Sequence, residues 1–121
     1  RRRRKANVDH VDLGIGQHVG ELLLDAAHAS GRIAGIPGIE GGHSIEGSLA
    51  DLEWYFEHGV RVLTLVWNNH LDWIRSCQAG AGPEVPAGLS DFGRAVVRRM
   101  NELGILIDVS HVSDDSFWQV M

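Results

Sequence analysis

Along this chain, apolar residues alternate between helical spacing and short unbroken runs. Val19, Leu22, Leu23 and Ala26 fall at i, i+3, i+4 and i+7, which predicts a helix over residues 17–30 closed by Gly31. Leu49, Leu52 and Phe56 fall at i, i+3 and i+7, with Ser48 placed as N-cap and Gly59 as the stop. Phe92, Val96, Met100 and Leu103 repeat at i, i+4, i+8 and i+11 in a helix opening at Ser90 and ending at Gly104. Ser113 with Asp114 and Asp115 opens another helix, carrying negative charge where a helix N-terminus favours it.

Between these segments lie three strand-like runs. Residues 33–39 are interrupted by Pro37, which cannot donate to a ladder. Residues 60–67 have only Arg61 and Thr64 as polar members, and residues 105–109 read Ile-Leu-Ile-Asp-Val. The run over residues 60–67 fits a strand buried on both faces. The order helix, strand, helix, strand, helix, strand, helix predicts an α/β fold with parallel strands, either a (β/α)₈ barrel or an open doubly wound sheet. Residues 68–89 are polar and rich in Gly, Ala and Pro, and are expected to be a functional excursion from that scaffold.

Functional groups in parallel β/α folds gather at the C-terminal ends of the strands. Two residues there stand out. Glu40 leaves the first run into the turn Gly41-Gly42, and His111 leaves the third through Ser110. A carboxylate at the end of a buried strand is costly unless it is paired or metal-bound, so a carboxylate and an imidazole at two strand exits point to a metal site. Taken singly, each also reads as a capping acid or a hydrogen-bonded structural histidine. No G-x-G-x-x-G follows a strand and no phosphate loop is present, which argues against nucleotide binding.

Composition narrows the classes further. The chain has 121 residues, 44% hydrophobic and 22% charged, enough for one modest core. Arg1–Lys5 supply five of the eleven Lys and Arg residues, leaving six against sixteen acids, and no basic face follows them, so nucleic acid is not an expected partner. The single cysteine, Cys77, permits no internal disulfide and reads as an unreactive thiol; a reducing, cytoplasmic setting is the expectation. No apolar run reaches the roughly 18 residues of a membrane span, and no apolar signal core follows the basic residues. The chain begins on Arg and stops inside an expected helix, so it is expected to be a fragment.

Four consecutive blocks carry a resemblance. Residues 31–45 (GRIAGIPGIEGGHSI), 59–65 (GVRVLTL), 88–97 (GLSDFGRAVV) and 103–113 (LGILIDVSHVS) are similar, in order and spacing, to the membrane (renal) dipeptidase family, peptidase family M19. The resemblance implies a partial TIM-type (β/α)₈ barrel of about three β/α units over residues 31–121, with residues 1–30 as an N-terminal tail and helix. It implies a zinc-dependent dipeptidase with two zinc ions, in which Glu40 matches the carboxylate bridging both ions and His111 an imidazole ligand of the second. A dipeptide is the implied substrate, and a homodimer the expected state of the complete protein. His43 and Asp108 are expected to be hydrogen-bonding residues rather than ligands.

The sequence also departs from the family. Where the animal enzymes have Thr-Leu-Thr-His, with a substrate-holding histidine, this chain has Thr-Leu-Val-Trp, placing Trp67 there and turning attention to Asn68, Asn69 and His70 for substrate contact. His10-Val11-Asp12 has the lettering of the family's His-x-Asp metal pair, but only 30 positions before Glu40 and without a preceding apolar strand, so it is read as coincidence. The remaining ligands are expected past Met121. Two other readings stay open: a non-catalytic α/β scaffold or binding module, and another amidohydrolase-type metal enzyme acting on a cyclic amide.

Overall fold

The computed structural model of the protein describes residues 18–121, so His10 and Asp12 lie outside the described residues. The chain divides into two compact units at Ile36 and Pro37. The described helix of the first, α1 (His18–Ala29), is closed by Gly31 at φ 67°, and the Arg32 N–H reaches back to the Ala27 carbonyl at 2.8 Å. Residues 32–37, expected to begin a strand, have no regular structure, and Ile33 is 99% exposed. Pairing starts only at Gly38. Pro37 has no N–H to give, although its carbonyl accepts from the Arg61 N–H at 3.0 Å.

The second unit holds a three-stranded parallel sheet, β1 (Gly38–Glu40), β2 (Val62–Thr64) and β3 (Leu106–Asp108), in that order. A 3-10 turn (Gly42–Ile45) and α2 (Leu49–Glu57) connect β1 to β2, α3 (Asp91–Leu103) precedes β3, and α4 (Asp114–Val120) follows it. Ser48, Ser90 and Ser113 each accept a backbone N–H three residues on, from Asp51, Gly93 and Ser116. Such caps contribute about 1 kcal/mol each. Gly104 closes α3 in the left-handed conformation at φ 75°, as the sequence predicts.

The pleat sorts the strand residues into two faces. The row Ile39, Leu63, Ile107 belongs to the core, where Leu63 joins Leu52, Val96, Val97, Met100 and Ile105 in one buried cluster. The next row is Glu40, Thr64, Asp108, the last residue of each strand. It points to the other face and holds the candidate site residue Glu40.

Residues 68–89 differ from the polar excursion their composition implies. They form no long element, yet Trp73, Ile74, Val85 and Leu89 are buried, and bridges pair Leu71 with Ile74 and Ile74 with Leu89. Arg75 fastens the segment by donating to the carbonyls of Pro86 (3.0 Å) and Val85 (3.1 Å). The apolar pair Trp73-Ile74 inside a polar stretch was the signal: two large side chains together are enough to pin a loop onto a core.

Candidate metal site at the strand exits

Parallel pairing sets Glu40, Thr64 and Asp108 side by side, and the three side chains meet different fates. Thr64 is buried and its Oγ1 donates to Asp108 Oδ2 at 2.6 Å. Asp108 Oδ1 accepts from the Ser110 N–H at 2.9 Å and from the Ser110 hydroxyl at 2.7 Å. The Thr64 hydroxyl above all, then the two Ser110 donors and the nearby His111, hold the Asp108 carboxyl below the ordinary carboxylate range, against partial burial that pushes it up. Asp108 is therefore a hydrogen-bonded strand terminus with its lone pairs largely engaged.

Glu40 is the open acid of the row. Its side chain is 65% exposed, and its Oε1 lies 3.7 Å from Nε2 of His111, which is 34% exposed. That separation is longer than a good hydrogen bond. The turn after Glu40 is tightly built: the N–H groups of Gly41 and Gly42 continue the ladder to the carbonyls of Thr64 and Leu65, both at 3.1 Å. Gly41 has φ 105°, and a Cβ on Gly42 would collide with the Leu65 carbonyl and the Trp73 ring. The glycines let the backbone press against the end of β2, which fixes where Glu40 emerges.

His111 reaches the same place through an uncommon backbone. Its φ is 66°, a left-handed conformation that costs a residue with a Cβ about 1–2 kcal/mol. The conformation is held from outside: the Cys77 N–H donates to the His111 carbonyl at 2.7 Å, Ser76 bridges Val112, and the Ser113 N–H donates to the Arg75 carbonyl at 3.0 Å. The segment after β2 thus clamps the turn after β3.

The other residues singled out from sequence lie around this pair. The His43 ring rests against the Gly41 backbone, 2.6 Å from where a Cβ would stand, and makes a packing contact with the turn. Trp67, 46% exposed, leaves β2 with its Cβ 3.7 Å from that same point. His70 Nδ1 accepts from the Ser76 N–H at 3.2 Å, and Gln78 donates to the Asn68 side-chain oxygen at 3.5 Å. Cys77 is exposed. Sequence reading passed over Thr64 and Ser110 as partners of Asp108, although a lone threonine within an aliphatic run is a legible sign of a side-chain bond across strands. Among the described residues no three His, Cys, Asp or Glu side chains converge as a metal cluster; Glu40 and His111 are a pair.

A model of the membrane dipeptidase family, peptidase family M19, matches residues 3–121. Dipeptidase 3 of Rattus norvegicus is 39% identical over 92 residues, covering 74% of this chain and 19% of its own. Two solved structures share the fold. The probable dipeptidase PvdM of Pseudomonas aeruginosa has a TM-score of 0.70 at 28% identity, over 76% of this chain and 24% of its own. The metallo peptidase of Rhodobacter sphaeroides, liganded with a phosphinate mimic of the dipeptide L-Ala-D-Ala, has a TM-score of 0.72 at 27% identity, over 87% and 30%. The chain therefore spans less than a third of the length of each of these relatives.

Proposed function

Because the chain belongs to the membrane dipeptidase family, peptidase family M19, we propose that it is part of a zinc-dependent dipeptidase with a (β/α)₈ barrel, in which Glu40 and His111 are metal ligands. The observation that carries this reading is the 3.7 Å approach of Glu40 Oε1 to His111 Nε2 at the exits of β1 and β3. Two donors each about 2.0–2.1 Å from one zinc ion stand roughly 3.3–4 Å apart, so the pair fits a shared cation. Two donors do not complete a binuclear centre, and the further ligands are assigned to the parts of the relatives' architecture that this chain does not span.

When bound, the zinc ions supply Lewis acidity toward the scissile carbonyl and the attacking water. The residues of this chain hold the cations and set the charge around them. Glu40 has two carboxylate oxygens, neither of which accepts a hydrogen bond from the scaffold among the described residues, and can serve two cations at once. His111 offers one ring nitrogen toward Glu40. Asp108, kept ionised by Thr64 and Ser110, adds negative charge beside the imidazole that favours cation uptake. Trp67 begins beside Gly41, its Cβ near the turn that follows β1.

The test is Glu40→Gln in the protein at its full natural length, with zinc content and dipeptide turnover as readouts. Both should fall by more than the roughly 10–100-fold that loss of an outer-shell partner costs. Stability should change by less than about 0.5 kcal/mol, because the side chain is mostly exposed. Unchanged zinc content and turnover would remove Glu40 from the site. Turnover on cyclic amides but not dipeptides would replace the dipeptidase reading with the amidohydrolase one.

A further inference from the structure

We infer that His70 is a positioning residue for His111, acting through buried Ser76 and the adjoining backbone of Cys77. The inference rests on the metal-site reading for its consequence, and on hydrogen bonds alone for its mechanism. The Ser76 N–H donates to His70 Nδ1 at 3.2 Å, and the Ser76 hydroxyl lies 3.2 Å from the same nitrogen. That hydroxyl also donates to the Asn68 carbonyl at 3.1 Å and accepts from the Gln78 N–H at 3.2 Å. Ser76 is buried, so its N–H has no recourse to water and depends on the histidine. The acceptor at Nδ1 leaves the ring proton on Nε2.

The next residue carries the effect to the site. The Cys77 N–H donates to the His111 carbonyl at 2.7 Å, and Ser76 pairs with Val112 on the far side of the same turn. Since His111 sits at φ 66°, its backbone relaxes toward the ordinary region once that bond loosens, and its imidazole leaves the position 3.7 Å from Glu40. The path is His70 Nδ1, Ser76 N–H, Cys77 N–H, His111 carbonyl. It gives a role to a histidine of the excursion whose described hydrogen bonds go to Ser76, and it explains why the excursion is packed where its composition alone implies a loose loop.

The test uses three variants that differ in where they place an acceptor. In His70→Asn the amide oxygen stands where Nδ1 stands; in His70→Gln it stands farther out, near Nε2; His70→Leu has none. Cobalt(II) is titrated into the metal-free full-length protein, following its d–d absorption, and hydrogen exchange of the Cys77 amide is read on the same samples. His70→Asn should keep cobalt affinity within about twofold of wild type. His70→Gln and His70→Leu should weaken it by about 10–100-fold, with an altered spectrum, and should exchange the Cys77 amide at least tenfold faster. If His70→Leu does not fold, the Asn and Gln variants carry the same comparison. Cys77 exchange that is equally slow in all variants overturns the positioning role whatever the metal does. Equal weakening by Asn and Leu overturns the assignment to Nδ1. Failure of wild type to take up cobalt while Cys77 exchange follows the predicted order overturns the metal reading and leaves the hydrogen-bond path standing.

Discussion

Thr64→Val removes one oxygen at nearly constant shape and isolates the hydrogen bond that joins the ends of β2 and β3. The bond is short, 2.6 Å, its acceptor is charged, and its donor is only 5% exposed. Hydrogen bonds to charged groups contribute about 1.5–3 kcal/mol. Asp108 is only partly buried and keeps both bonds from Ser110, so the loss should lie near the lower end, about 1.5 kcal/mol. For a domain of this size that corresponds to roughly 6–12 °C in Tm. The deficit should also depend on pH. In the folded protein the Asp108 carboxyl is held below its unfolded value of about 3.9, with Thr64 the largest contributor. The stabilisation is therefore fully present above about pH 4 and is lost as pH falls through the lower folded value. Valine moves the folded value back up, so the variant's deficit is largest at neutral pH and shrinks on acidification. Urea unfolding followed by tryptophan fluorescence at pH 7 and near pH 3 measures both. A deficit below about 0.5 kcal/mol at pH 7, or one equal at the two pH values, would refute the reasoning.

Gly42→Ala should destabilise by at least the roughly 1–3 kcal/mol of an overpacked core, because the new methyl meets the Leu65 carbonyl and the Trp73 ring; chemical denaturation measures it, and a near-neutral result would mean that the turn after Glu40 can retreat. Trp73→Ala should cost about 3–5 kcal/mol in the same assay, the value for a buried aromatic, whereas a loop residue would cost little. The 121-residue chain by itself, supplied with zinc, should show no dipeptide hydrolysis above background in a ninhydrin or coupled amino-acid assay, since Glu40 and His111 are two donors and a binuclear site needs more.

Much of the fold was legible because its signals are local. Helical spacing, the serine caps at 48, 90 and 113, and Gly104 gave the helices, and the strands appeared where β-branched and aliphatic residues ran together. The strands are shorter than the runs that announced them: β2 covers three of eight residues, and past its end Leu65 and Val66 stay buried while Leu65 still bonds to Gly42 and Asp108. The first run failed over 33–37, where apolar lettering met a proline and found no partner strand. Apart from the Thr64 hydroxyl, non-local bonds left no sign in the sequence. Nothing near Cys77 announces that its N–H holds the carbonyl of a residue 34 positions away, or that Arg75 gathers two carbonyls ten and eleven residues on.

The two acids that end β1 and β3 show why spacing alone could not assign them. Both come after apolar residues, both close a strand, and both stand in one lateral row with Thr64 between them. Thr64 has a single proton to donate, and it goes to Asp108. Ser110 supplies two more donors to the same carboxylate, so Asp108 is both ionised and engaged. Glu40 has no serine after it; it has two glycines whose N–H groups turn away to the carbonyls of β2. Among the described residues Glu40 has no fixed donor, so in the proposed site its lone pairs are left for a cation, while Asp108, engaged by three donors, contributes field and rigidity instead. The distinction lies in the two residues after each strand, Gly-Gly against Val-Ser, and in which neighbour receives one hydroxyl proton.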